Sequence, residues 1–130
     1  LKIKESIKKI SSDIKIFDTY YKPTNIHKFN NKDNYLIFSG IGNPDTFKTT
    51  LLKNKIKIIK EIIFPDHYQY TKKDIEKIKH MSHSLNLKII TTEKDFVKIP
   101  KECSNNIDFL EIELIIKKQE ELISFIKSKL

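Results

Sequence analysis

The sequence predicts a small α/β fold, a mostly parallel sheet with helices on both faces. Three observations predict it. Short apolar runs bounded by turn residues alternate with stretches of helical spacing from residue 35 to the end. Helix-start signals stand behind three of those runs, at Asn43-Pro44, at Thr71 and at Thr92. The length of 130 residues suits one domain with one core.

Taken in order, Ile3, Ile7 and Ile10 have helical spacing over residues 1–11. Ile14, Ile16 and Tyr20 suggest a short extended segment closed by Pro23, and the Asn-rich stretch 24–34 reads as a loop. Tyr35-Leu36-Ile37-Phe38 is the mark of a buried strand. Behind it, Asn43 is a good N-cap, Pro44 suits the first helical position, and Phe47 and Leu51 share a face. Ile56 to Phe64 forms the next strand, ended by Pro65. Thr71 with Asp74 has capping-box spacing, and Ile75, Ile78, Ser82 and Leu85 run along the helix that follows. Leu87 to Ile90 is a further strand, and a brief helix from Thr92 is stopped by Pro100. Leu110, Ile112 and Leu114 alternate with Glu111 and Glu113, which predicts one strand with a wet face. Leu122, Ile126 and Leu130 form the stripe of a last helix. The expected division is an N-terminal helix and approach segment over 1–34 and an α/β unit over 35–130.

Composition narrows the function. The net charge is +8 and the pI near 9.4. Every basic residue is Lys, so the bidentate guanidinium reader of guanine and phosphate is missing. Ala is also absent while Ile, Lys and Asn abound, as in an AT-rich coding bias spread over a whole surface. No specific nucleic-acid partner is therefore expected, although a basic nucleic-acid binder stays among the function classes. Cys103 is the only cysteine, so no internal disulfide can form, and a reducing compartment is expected. No run approaches the ~20 apolar residues of a membrane span. No signal peptide is visible, and a chain that starts at Leu1 is expected to be a piece of something longer.

In parallel α/β sheets ligands sit where strands hand over to helices. Three loops leave strands that way, at 39–44, 64–71 and 91–95, and all three should open on one edge. The first holds both glycines of the chain, Gly40 and Gly42, where backbone needs positive φ or close approach. It either admits a ligand or a facing domain, or simply joins strand to helix. It is no dinucleotide fingerprint, since Asp45 stands where a third Gly is required, and no G-x-x-x-x-G-K-[ST] occurs.

The second loop, Phe64-Pro65-Asp66-His67-Tyr68-Gln69-Tyr70, is the most chemical stretch. A histidine suits proton transfer or the holding of a base. On an extended segment Asp66 and His67 would point opposite ways and serve different partners. The plain alternative is a surface turn. In the third loop Thr92 caps, and Glu93 and Asp95 complement the helix dipole, which leaves Lys94 as a candidate anion contact. His80 and His83 could share a helix face, but no third ligand stands at known spacing and no metal site is expected.

The three loops together resemble one family. Ser39-Gly40-Ile41-Gly42-Asn43-Pro44 with Phe47, Phe64-Pro65-Asp66-His67-Tyr68 with Tyr70 and Thr71, and Thr91-Thr92-Glu93-Lys94-Asp95 with Val97 and Lys98 resemble the C-terminal part of tetraacyldisaccharide 4′-kinases, in order and spacing, over about residues 14–130. The resemblance implies the smaller α/β subdomain that follows a P-loop kinase domain. It implies transfer of the ATP γ-phosphate, with Mg²⁺, to the 4′-hydroxyl of a tetraacyldisaccharide 1-phosphate, giving lipid IVA in lipid A biosynthesis. The implied place is the cytoplasmic face of the inner membrane, peripherally, with this fragment itself soluble. The implied partners are the N-terminal kinase domain and the lipid A disaccharide precursor. The nucleotide loop, the Mg²⁺ ligands and the catalytic aspartate of the family would precede the matched region, so the isolated chain is expected to be inactive. His67 corresponds to the family histidine that pairs across the cleft with that aspartate. Asp66 would orient the loop, and Gly40, Gly42, Asn43, Thr92, Glu93 and Lys94 would shape or line the site. A non-catalytic module that binds an anion or a partner on the same loops is the alternative.

Overall fold

The computed structural model describes residues 19–116 and 126–128. The helix expected over 1–11, Ile14 and Ile16, and Leu122 and Leu130 of the last stripe lie outside the described residues. The described elements are β1 (Thr19–Pro23), β2 (Asn34–Ser39), α1 (Pro44–Lys53), β3 (Lys57–Ile63), α2 (Lys72–Leu85), β4 (Lys88–Thr92), α3 (Glu93–Phe96), β5 (Ile107–Leu110) and β6 (Ile112–Ile116). Short 3₁₀ turns stand at Ile26–Lys28 and Lys101–Cys103. Contacts divide the chain into two units, one of residues 23–112 and one of residues 1–22 with 113–130.

The larger unit holds a four-stranded sheet in the order β3-β2-β4-β5, every neighbouring pair parallel. β2 is buried on both sides, as its unbroken apolar run requires. Tyr35 and Ile37 join Phe47 and Leu51 of α1 with Ile56 and Ile90, while Leu36 and Phe38 join Ile75 and Ile78 of α2 with Ile89 and Ile107. Successive strand side chains face opposite ways, so one sheet feeds two cores, and the helices cover both faces as expected.

The caps act where the sequence places them. Asn43 Oδ1 accepts from the Thr46 N–H at 3.4 Å, with Pro44 at the helix start. Thr71 and Asp74 form a reciprocal capping box on α2. The Asn-rich loop is turn chemistry: Asn30 Oδ1 accepts from the N–H groups of Lys32 and Asp33.

One expected strand is two. Leu110 closes β5 and Ile112 opens β6, and the two strands belong to different sheets. The ladder breaks at Glu111 because other groups take its backbone. Its N–H donates to Asn25 Oδ1 at 2.8 Å, and its carbonyl accepts from the Thr24 N–H at 2.9 Å. Alternation alone cannot reveal that a side chain 86 residues away competes for one peptide group.

The strand order fixes where the loops meet. From β2 the chain turns to β3 on one side, and from β4 it turns to β5 on the other. The carboxyl ends of β2 and β4 therefore flank a topological switch point, where a parallel α/β sheet opens its ligand crevice.

Candidate functional site at the switch point

The three loops converge on this edge, and hydrogen bonds join them. Ser39 ends β2, and its carbonyl accepts from the Phe64 N–H at 2.8 Å. The next residue, Gly40, is buried. Its N–H donates to Asp95 Oδ1 at 3.0 Å, and its carbonyl accepts from the His67 N–H at 3.2 Å. A Cβ at Gly40 would stand 3.0 Å from the Pro65 carbonyl oxygen, 3.1 Å from the Tyr70 hydroxyl and 3.3 Å from Tyr68 Cβ. Neither glycine has positive φ, so close approach and not left-handed backbone is what Gly40 supplies. Gly42 is exposed, and a Cβ there would stand 3.3 Å from Asp66 Oδ2.

The second loop is not extended. Tyr68 N–H donates to the Pro65 carbonyl at 3.1 Å, closing a turn over residues 65–68. His67 is its third residue at φ 62°, a conformation that turns usually give to Gly or Asn. Asp66 and His67 are therefore not on opposite sides: Asp66 Oδ2 lies 3.6 Å from His67 Nε2. Both side chains are open to solvent, at 48% and 76%.

Behind this exposed tip the loop is rooted in aromatic packing. The Tyr70 ring stands edge-on to Phe38 and Phe64, with centroids 5.4 and 5.1 Å apart. The Tyr68 hydroxyl donates to Asp74 Oδ2 at 2.9 Å, which couples the loop to the α2 cap. That bond to Asp74 holds the Tyr68 phenol above its usual range. The Thr71 backbone N–H, and then the Tyr68 and Thr71 side chains, hold the Asp74 carboxyl below its usual range despite some desolvation.

The third loop contains the residue that sequence reasoning underrated. Asp95, expected to act only on the helix dipole, is completely buried. Oδ1 accepts from both the Gly40 N–H and the Tyr70 hydroxyl at 3.0 Å, and Oδ2 accepts from the Thr92 hydroxyl at 2.6 Å. Thr92 Oγ1 in turn accepts from the Asp95 N–H at 3.0 Å. One carboxylate thus holds all three loops. Burial, with the Asp95 charge beside it, raises the Tyr70 phenol far above the ordinary tyrosine range. The Thr92-x-x-Asp95 spacing was visible as a cap, but nothing local marks Asp95 as buried. Thr91 Oγ1 adds a bond to the Phe38 carbonyl at 2.7 Å.

The structure therefore brings Gly40, Gly42, Asp66 and His67 together and joins Thr92 to them through Asp95. Asn43 is occupied as a cap. Glu93 and Lys94 are exposed, and the Glu93 carbonyl accepts from the Val97 N–H at 3.3 Å within the short helix. His80 and His83 each border a surface groove, His80 beside Lys73 and Met81 and His83 beside Asn86 and Asn106. The apolar groove on the outer side of α2, lined by Lys73, Lys77, His80, Met81 and Leu85, is apart from the three loops. Among the described residues no three His, Cys, Asp or Glu side chains gather as metal ligands, and no helix is long and apolar enough to cross a membrane.

The sequence model of the family LpxK, tetraacyldisaccharide-1-P 4′-kinase, matches residues 3–130. The tetraacyldisaccharide 4′-kinase of Pelagibacter ubique is 43% identical over 120 residues, 92% of this chain and 38% of the relative. That of Rickettsia peacockii is 41% identical over 90 residues, 69% of this chain and 28% of the relative. The chain thus spans well under half the length of these curated relatives. Among solved structures, LpxK from Aquifex aeolicus, crystallised in complex with ATP, is similar in fold, with a TM-score of 0.55 at 19% identity over 93% of this chain and 40% of that one. A kinase match over nearly the whole chain, on a parallel α/β unit with the expected loops on one edge, has one reading: this chain belongs to the tetraacyldisaccharide-1-P 4′-kinase family.

Proposed function

We propose that the chain is the C-terminal part of a tetraacyldisaccharide 4′-kinase. In the whole enzyme, the γ-phosphate of ATP passes to the 4′-hydroxyl of tetraacyldisaccharide 1-phosphate, giving lipid IVA for lipid A. The enzyme works peripherally at the cytoplasmic face of the inner membrane, and residues 35–130 form the smaller subdomain behind an approach segment over 1–34. The observation that carries this reading is His67: an exposed imidazole on a left-handed turn, on the same edge as Gly40 and Thr92.

ATP and Mg²⁺ come with family membership, and no G-x-x-x-x-G-K-[ST] occurs in this sequence. Both belong with the preceding kinase domain. The buried Asp95 carboxylate takes the Gly40 N–H at the switch point, which disfavours an anion there. The contribution of this chain is therefore positioning, which is most of what phosphoryl transfer needs from protein.

His67 faces a carboxylate base on the opposing domain. The imidazole orients that base, which takes the proton from the sugar hydroxyl, and Asp66 lies beside the ring, 3.6 Å from Nε2. Gly42 leaves room for Asp66. Asn43 and Thr92 fix the flanking helices, and exposed Lys94 and Glu93 line the rim.

The test places residues 14–130 behind the N-terminal part of the Pelagibacter relative to rebuild a whole kinase. His67→Ala should lower kcat by about 10²-fold with little change in KM. Unchanged turnover would remove His67 from the mechanism, and a rebuilt kinase that is inactive with His67 intact while the parent relative is active would count against the assignment.

A further inference from the structure

His67 is held in an unfavourable backbone conformation at a solvent-exposed tip, and such geometry persists only where surrounding structure over-determines it. Its own side chain supplies little, with Asp66 as its ion-pair neighbour among the described residues and most of the ring in water. The restraint is on the backbone. The His67 N–H binds the Gly40 carbonyl, the Gly40 N–H binds Asp95 Oδ1, and the Tyr70 hydroxyl, three residues beyond His67, binds the same oxygen. Both ends of the segment that carries the imidazole thus lead to one buried oxygen.

We propose that Asp95 is the positioning residue for His67: through Gly40 on one side and Tyr70 on the other, its carboxylate holds the turn that presents the imidazole. The proposal rests on the functional reading above only for its catalytic consequence. The placement itself follows from the hydrogen bonds.

Several features fit this role better than a merely structural one. A solvated aspartate would serve equally well as a helix N-terminal charge, yet this one is fully buried, and each of its donors sits on a loop of the site edge. The third donor, Thr92, stands on the same loop as Asp95 and fixes its rotamer from the far side. The link from Asp95 to His67 runs through the backbone of a single residue, Gly40, where a Cβ would stand 3.0 Å from the Pro65 carbonyl oxygen.

Two measurements test it. On the 130-residue chain, amide hydrogen exchange reads the restraint directly. Asp95→Ala should speed exchange at both Gly40 and His67 by about tenfold or more over the change at the β2 amides of Leu36 and Ile37. Asp95→Asn keeps an oxygen toward Gly40 and Tyr70 and should restore most of the protection. Should Asp95→Ala fail to fold, Thr92→Val frees the carboxylate from one side and should speed exchange at the same two amides to a smaller extent. Protection at His67 that is unchanged when Gly40 is released would overturn the proposal.

In the rebuilt kinase, Asp95→Ala, or Thr92→Val in its place, should lower kcat with KM retained, and it should add little further loss when His67 is already Ala. An equal loss in both backgrounds would show a general structural effect and overturn the positioning role. Full activity of His67→Ala would instead sink the functional reading, and the exchange data would then decide the placement alone.

Discussion

The neighbouring strands β2 and β4 are tied at both ends by an aspartate, and the two ties differ in kind. At the amino end Asp33, next to Asn34, pairs with Lys88 at 2.6 Å, and both side chains reach water. At the carboxyl end Asp95 has no solvent contact and accepts from a backbone N–H and two hydroxyls. The exposed pair exchanges water for a cation and gains little. The buried carboxylate replaces its whole hydration shell with protein donors, so each donor depends on it as much as it depends on them. The same residue type is thus a surface ornament at one end and a joint at the other, and the end with the joint carries the site.

The largest effect expected is on the buried side. Asp95→Ala should cost about 3–5 kcal/mol, because the Gly40 N–H and Tyr70 hydroxyl would each be left buried without an acceptor. Denaturant unfolding of the 130-residue chain measures it, and a loss near that of a surface mutation would erase the contrast between the two ends.

Gly40→Ala comes next, at about 1–3 kcal/mol, because the new methyl meets the Pro65 carbonyl oxygen at 3.0 Å. The same change at Gly42, whose nearest neighbour is the exposed Asp66 carboxylate, should cost much less in the same assay.

Alkali should sharpen the comparison. The phenol of Tyr70 is raised in the folded state, so its contribution is fully present below the unfolded tyrosine value of about 10 and is lost as pH rises above it. The wild-type chain should therefore lose stability above about pH 10, and Tyr70→Phe should flatten that limb, as read by thermal melts across pH.

His67→Gly should stabilise the chain by about 1 kcal/mol by relieving the left-handed backbone, while turnover of the rebuilt kinase falls. Stabilisation with loss of turnover is the signature of strain kept for function, and a destabilised variant would show that the turn is not strained.

The smallest effect belongs to the exposed pair. Its bond to Lys88, and then Asn30, lowers the Asp33 carboxyl, and the same bond raises the Lys88 ammonium. Asp33 contributes above the unfolded carboxylate range and loses that contribution in acid, while Lys88 contributes below the unfolded lysine range and loses it in strong alkali. Asp33→Asn should leave the melting temperature almost unchanged, and added salt should erase what difference there is.

Order, caps and the location of the loops were decided locally. Apolar runs set the strands, Asn43, Thr71 with Asp74, and Thr92 set the helix starts, and two glycines marked one turn, because these signals act over a few residues. Only the tertiary structure decided that Asp95 is buried, that His67 turns left-handed toward Asp66, and that the strand predicted through Leu110 and Leu114 breaks at Glu111. Distant partners enter all three: Asp95 meets Gly40 across 55 residues, Glu111 meets Asn25 across 86, and the His67 N–H meets the Gly40 carbonyl of another loop. No local spacing encodes such pairings, since they exist only after the parallel sheet has brought its strand ends to one edge.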